Sequence, residues 1–332
     1  MGGHVAVVGA TGAVGQEFLR VLEQRNFQFE KITFLASSRS AGKPITFKGQ
    51  THTVAELKED SFKGIDLALF SAGGSISRKF APIAAQAGTV VVDNSSAFRM
   101  DPSVPLVVPE VNPEDARAHK GIIANPNCST IIMVVPVWPL HKVNPIERLV
   151  ISTYQAASGA GYQAMVELQE QARDFLDGKK ITPKVLPHQI AFNLFSHNSK
   201  VGENGYNEEE VKMVKETRKM FHCDTIQITA TCVRVPVLRA HSESINIRFS
   251  KPMTENRVRE ILRSAPGVKI IDDREKNYFP MPLESSDQDD VFVGRIRQDI
   301  SQPDGHGIDM FISGDQLRKG AALNAVQIAE LM

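Results

Sequence analysis

Cysteine is scarce: three among 332 residues, Cys128, Cys223 and Cys232, with no C-x-x-C pair. So few, so irregularly spaced, cannot form a disulfide framework and argue against a structural zinc site, so no metal is expected. Free thiols suit a reducing compartment, and a cytoplasmic location is expected. Net charge is missing too, since 38 Lys plus Arg balance 38 Asp plus Glu. A basic surface supplies most nucleic-acid affinity, so its absence argues against such a partner. Long apolar runs are also lacking. The strongest, residues 131–140, contains Pro136 and Pro139. It falls far short of the roughly 20 residues that span a bilayer, and no membrane partner is expected. No basic segment precedes the first strand-like run, so no signal peptide is expected. Ala6 departs from the myristoylation pattern. What is present is ordinary for a globular protein: 42% hydrophobic and 23% charged residues. At roughly 100–200 residues per domain, the length suggests two domains.

In the first 125 residues, short apolar runs alternate with helical patterns. Strands are expected at residues 4–8, 32–36, 65–71 and 90–93, with helices over 14–22 and 75–87 and a hairpin over 45–54. Such alternation implies βαβ units and a parallel sheet. From Cys128 the texture changes. Helices are expected over 129–135, from about 162 to 176, over 208–220 and over 316–331. Strands are expected at 148–156, 226–235, 244–249, 291–297 and 307–313, with a loop-rich stretch over 183–205 and a surface excursion over 272–290. The fold class is therefore α/β. A Rossmann-type dinucleotide-binding domain, residues 1–127 plus 314–332, is joined to an α+β domain of mostly antiparallel sheet, residues 128–313.

Gly9-Ala10-Thr11-Gly12-Ala13-Val14-Gly15 follows the first strand and opens the first helix. Such a turn lets backbone approach a pyrophosphate at a helix N-terminus, although a tight βα turn without a ligand has the same pattern. The second strand ends Ala36-Ser37-Ser38-Arg39-Ser40, with no acid for a ribose 2′-hydroxyl. Hydroxyls and a guanidinium suit a 2′-phosphate, which favours NADP, the alternative being a plain polar loop. Asn125-Pro126-Asn127-Cys128-Ser129-Thr130 precedes an apolar helical run. Cys128 then falls in a first helical turn, where a thiolate is stabilised, unless it is a small buried residue. A nucleotide domain and a reactive thiol together suggest hydride transfer through a thiohemiacetal and a thioester.

These segments resemble aspartate-β-semialdehyde dehydrogenases, in the branch found in many bacteria and in plant plastids. So do Asp93-Asn94-Ser95-Ser96-Ala97-Phe98-Arg99, residues 152–161, residues 234–241 and residues 314–322, and the resemblance runs from about His4 onward. It implies NADP-dependent reductive dephosphorylation of β-aspartyl phosphate to aspartate β-semialdehyde, feeding lysine, threonine and methionine synthesis. It makes Cys128 the nucleophile, His241 the acid/base, and Gln155 the residue that orients substrate. Asn127, Glu209 and Arg234 become substrate ligands, and Asn94, Arg99 and Lys212 phosphate ligands. The cofactor positions are Gly9, Thr11, Gly12, Ala13, Val14, Ser38, Arg39, Ser40, Ser158, Gly159, Gln316 and Asn324. On their own, His241 reads as a loop histidine, Arg234 as an outward strand residue, and Glu209 with Lys212 as a solvated helical pair.

The resemblance also implies a homodimer or homotetramer, and a plastid stroma as the location if a transit peptide has been removed. N-acetyl-γ-glutamyl-phosphate reductase is the nearest alternative. Glu209 opposes it, since an acetylated amine has no charge for an acid to pair. A non-catalytic NADP-binding sensor would leave Cys128, Gln155, Arg234 and His241 without a joint purpose.

Overall fold

The computed structural model describes residues 3–332. The chain divides into two compact units: one runs to Asn127 and takes in Ala321–Met332, and the other is Cys128–Gly320.

The first unit contains β1 (His4–Val8), α1 (Ala13–Gln24), β2 (Lys31–Ala36), β3 (Pro44–Phe47), β4 (Gln50–Thr53), β5 (Ala55–Glu56), β6 (Leu67–Phe70), α2 (Gly74–Gln86), β7 (Val90–Asp93) and β8 (Ile122–Ala124). Six strands form a sheet in the order β5-β2-β1-β6-β7-β8. Every pairing in it is parallel. Strand direction of growth reverses between β1 and β6, the switch point at which doubly wound sheets open a ligand crevice. The continuous apolar runs of β1 and β6 follow from burial on both faces. Val5 and Val7 pack with Phe18 and Leu22 of α1, whereas Ala6 and Val8 face Phe80, Ala81 and Ala84 of α2. The hairpin β3–β4 turns through Lys48 and Gly49, both at positive φ, as a two-residue hairpin requires.

The second unit contains α3 (Cys128–Val143), β9 (Ile146–Gln155), α4 (Tyr162–Leu176), β10 (Phe195–Ser196), α5 (Glu208–Phe221), β11 (Gln227–Arg234), β12 (His241–Phe249), α6 (Glu255–Arg263), β13 (Val268–Ile270), α7 (Pro282–Ser285), β14 (Val291–Gln298) and β15 (Gly307–Gly314). Seven strands form one mixed sheet, ordered β10-β11-β9-β12-β15-β14-β13. The β11–β9 and β13–β14 pairs are parallel and the other pairs antiparallel. The chain then returns to the first unit with α8 (Leu323–Ala329), whose Leu323, Val326 and Ile328 join the core beside α1.

Several expectations need correction. The helix expected over 129–135 continues to Val143, through Pro136 and Pro139. Each proline removes an N–H that an interior turn would use, but residues 129–137 are buried and packing holds the helix. The last helix is shorter than expected, because a π-helical turn, Arg318–Ala322, precedes α8. Its cause is local. Asp315 Oδ1 accepts the N–H groups of Leu317 and Arg318, and Gly320 N–H bonds to Asp315 O. Residues 314–320, assigned from sequence to the first domain, lie in the second unit, where Gly314 pairs with His241. β12 begins at His241 rather than at 244. β8, α6 and β13 had no counterpart in the sequence reading, although Thr254 caps α6, and Val258 and Leu262 give it helical spacing.

Candidate active site

In the first unit the glycine turn has the tightness its sequence suggests. Gly9 has φ +84°, and a Cβ there would lie 2.2 Å from Ser71 O. A Cβ on Gly15 would lie 2.2 Å from Gly9 O. Helix α1 therefore starts flush against the end of β1, with Gly12 as an N-cap lacking a side-chain bond and no acid in the first turn. Such a cradle fits a dinucleotide pyrophosphate beside the N–H groups of Ala13 and Val14. Arg39 and Ser38 are exposed just beyond β2. Thr11 Oγ1 bonds to Ser40 Oγ at 3.4 Å. Glu56 pairs in register with Ala36 at the end of β2, but it is ion-paired to Lys58 at 3.1 Å.

Three candidates of the first unit are tied into hydrogen bonds around Asn125. Arg99 donates through Nε to Asn125 O at 2.9 Å and through Nη2 to Asn94 O at 3.0 Å. Asn94 Oδ1 accepts from Asn125 Nδ2. Asn324 is fully buried and donates to Val107 O and Asn125 Oδ1. Asn127 is buried at the junction before α3.

In the second unit Cys128 is the first residue of α3, and its Sγ lies 3.6 Å from Nε2 of His241. His241 opens β12 and is fully buried. Its Nδ1 accepts the backbone N–H of Ala156 at 3.0 Å. A backbone N–H can only donate, so the proton of the neutral ring is on Nε2, facing the sulfur. Burial, reinforced by the Arg234 guanidinium, pushes His241 down to about 3. The imidazole is thus neutral at pH 7 and acts as an N–H donor toward Cys128.

Ala240, just before His241, has φ +69°. Its N–H bonds to Gln316 Oε1 at 2.9 Å, while Gln316 Nε2 donates to Ser158 Oγ. Arg239 is held by Asp315 at 2.7 Å. Gln316 and Ser158 therefore steady the backbone that presents the imidazole. Gly159 sits against the pair. A Cβ there would lie 2.9 Å from Arg234 Nη1 and 3.0 Å from His241 Cε1.

Cross-strand register explains the rest of the cluster. Arg234 pairs with Gln155. Gln155 Nε2 donates to Thr153 Oγ1 at 3.3 Å and to Glu209 Oε1 at 3.4 Å. Glu209, in the first turn of α5, holds Lys212 at 3.1 Å. Arg234 is 4% exposed, so it is not the outward strand residue its sequence context suggests. Cys128, Gln155, Glu209, Lys212, Arg234, His241, Ser158, Gly159 and Gln316 thus share one neighbourhood in this unit.

Sequence reasoning missed three residues here. His197 and Asn198 both accept hydrogen bonds from Arg234. Glu243 lies two residues beyond His241, on the same face of β12, paired with Thr153 and fully buried. Among the described residues neither of its oxygens has a hydrogen-bond partner. Burial and the Glu209 carboxylate push Glu243 well above the usual carboxylate range, so it carries its proton. The i, i+2 parity with His241 was the signal available. Cys232 is buried, and burial pushes its thiol up. Among the described residues no group of three His, Cys, Asp or Glu side chains could hold a metal ion, and no helix is long and apolar enough to cross a membrane.

A doubly wound nucleotide unit joined to a mixed-sheet unit with a partly buried thiol–imidazole pair defines a two-domain NAD(P)-dependent oxidoreductase. Residues 4–119 match the semialdehyde dehydrogenase NAD binding domain, and residues 137–319 the semialdehyde dehydrogenase dimerisation domain. An aspartate-semialdehyde dehydrogenase of Synechocystis is 57% identical over 99% of this chain and 97% of its own. The crystal structure of aspartate semialdehyde dehydrogenase II of Vibrio cholerae complexed with ASA matches with a TM-score of 0.96 at 43% identity, covering 100% of this chain and 98% of that one. A Candida albicans aspartate semialdehyde dehydrogenase with NADP matches at 0.78 and 26% identity, over 100% and 98%. The chain belongs to the aspartate-semialdehyde dehydrogenase family. Its function is that of the family, in amino-acid biosynthesis, and its second unit is of the dimerisation type.

Proposed function

We propose that the enzyme uses NADP and works through a thioester on Cys128, reducing β-aspartyl phosphate to aspartate β-semialdehyde with release of phosphate. The observation that carries this reading is the contact between Cys128 Sγ and the Nε2–H of His241, fixed from behind by the Ala156 N–H. A thiolate at the start of α3 is stabilised by the helix N-terminus and by that N–H. With its single proton on Nε2, His241 is no base for the thiol. It supports the thiolate as a donor, and the same Nε2–H hydrogen-bonds to the tetrahedral adduct, which collapses to the aldehyde with the Cys128 thiolate as leaving group, so the ring keeps its proton. Attack of Cys128 on the acyl phosphate forms the thioester and expels phosphate. The Gly9–Gly15 cradle would hold NADP, with Arg39 on its 2′-phosphate, and the reduced cofactor would supply the hydride there.

Arg234 binds the α-carboxylate and Glu209 the α-ammonium. Gln155, an amide between Thr153 and Glu209, orients the substrate without competing for its proton. Lys212 supplies a phosphate cation, and the roles of Asn94, Arg99 and Asn127 rest on the resemblance. Glu209 favours a free amino acid over an acetylated one. We assign a homodimer or homotetramer and a cytoplasmic location.

The test is NADPH formation from aspartate semialdehyde with and without phosphate, in wild type and Cys128→Ala. Wild type should require phosphate and favour NADP over NAD. The variant should lose turnover and still bind NADP. Substantial turnover by Cys128→Ala would overturn the mechanism.

A further inference from the structure

We propose that His197 is the positioning residue that aims Arg234 at the α-carboxylate, and that it sets how strongly the enzyme prefers aspartate semialdehyde to an aldehyde without that group. The inference rests on the reading of Arg234 as the carboxylate ligand.

A guanidinium has five N–H donors. In Arg234 three are engaged: Nε with Asn198 Oδ1 at 3.3 Å, Nη1 with Ala156 O at 3.3 Å and Nη2 with His197 Nε2 at 2.8 Å. Two remain, one on each terminal nitrogen, which matches the two oxygens of a carboxylate. The shortest of the three contacts is to His197. Without it the long side chain regains rotamer freedom that a bound substrate would have to remove.

His197 is suited to this by its tautomer. Arg234 can only donate, so Nε2 accepts and the ring proton sits on Nδ1, 3.0 Å from Ser199 Oγ. The Ser199 N–H also points at Nδ1, from 3.2 Å, but a neutral ring cannot accept on both nitrogens, and the 2.8 Å contact decides. Burial, opposed by the Glu209 carboxylate and aided by the Arg234 and Lys212 cations, pushes His197 down to about 4, so it stays neutral and able to accept.

The same serine oxygen accepts the backbone N–H of Glu209 at 3.1 Å. A chain of bonds therefore runs from the backbone of Glu209 through Ser199 and His197 to Arg234. It fixes the spacing between the acid proposed for the substrate ammonium and the guanidinium proposed for its carboxylate. The fold provides for this. Phe195 pairs with Arg234 across β10–β11, and His197 N–H bonds to Cys232 O. The preceding loop is anchored where Glu167 accepts the N–H groups of Val185 and Leu186, and Gln171 that of Ile190.

The test compares aspartate semialdehyde with 3-aminopropanal, which keeps the aldehyde and the ammonium but lacks the carboxylate. Steady-state kinetics are measured for wild type, His197→Leu, His197→Gln and Arg234→Leu. His197→Leu should lose roughly tenfold to hundredfold in kcat/KM for aspartate semialdehyde, mostly through KM, and stay within about twofold for 3-aminopropanal. His197→Gln, whose amide oxygen can still accept from Nη2, should recover most of the loss. Arg234→Leu should abolish the preference. Equal losses on both aldehydes in His197→Leu, or none on either, would overturn the proposal while leaving Arg234 in place. An Arg234→Leu enzyme that keeps its preference would overturn the carboxylate reading itself.

Discussion

Glu243→Gln removes a proton-carrying group from the second unit while keeping its shape. Below about pH 4.5 the acid is neutral in both the folded and the unfolded chain and affects neither. As pH rises further, the unfolded chain releases this proton and the folded chain keeps it, because burial and Glu209 hold Glu243 neutral. Wild type therefore loses about 1.4 kcal/mol of stability for each pH unit, until pH passes the folded-state value. Glutamine has no proton to lose. Its amide still lacks partners and adds a cost of about 1–3 kcal/mol that does not vary with pH, so the slope is the diagnostic quantity. For a folding unit of this size 1 kcal/mol moves the melting temperature by roughly 2–4 °C. The melting temperature of Glu243→Gln minus that of wild type should thus climb by about 3–5 °C per pH unit between pH 5 and 7. Calorimetry or circular dichroism over that range measures it, and infrared difference spectra should show a protonated carboxyl band absent from the variant. A difference that stays flat with pH, and no such band, would mean that Glu243 is ionised and the argument from burial is wrong.

Two further substitutions probe the rest of the molecule. Gly159→Ala should cut kcat/KM roughly hundredfold with little change in melting temperature, because its methyl displaces Arg234 or His241 from its place; activity within threefold of wild type would show that the cluster can absorb the methyl. Arg39→Ala should weaken NADP binding by about 1.5–3 kcal/mol and leave NAD within about twofold, as measured by titration calorimetry; equal losses for the two cofactors would remove Arg39 from the 2′-phosphate.

The parallel sheet was legible because strands buried on both faces read as unbroken apolar runs, as in β1 and β6. The full span of α3 was hidden by Pro136 and Pro139, which normally end a helix but here lie in a helix enclosed by packing. β12 was foreshortened because Ala240 adopts a left-handed conformation that no alanine announces. At the site, Cys128 could be singled out from its position before an apolar run. His241 and Arg234 could not, since each acquires meaning only from strands that are distant in sequence. His197 lies 37 residues from the guanidinium it touches, in a loop with no periodicity of its own. Glu243 was readable in principle, by counting two residues along a strand from His241.

The return of α8 to the first unit has a consequence for how the molecule is made. Asn324 bonds to Val107 across a separation of 217 residues, and Leu323, Val326 and Ile328 fill the core beside Phe18. During synthesis the nucleotide-binding half emerges first, yet it waits with part of its apolar face uncovered. Cys128–Gly320 is contiguous and can close on itself earlier. The unit begun first is therefore completed last, and on the ribosome its exposed face is the segment for which a holding chaperone would compete.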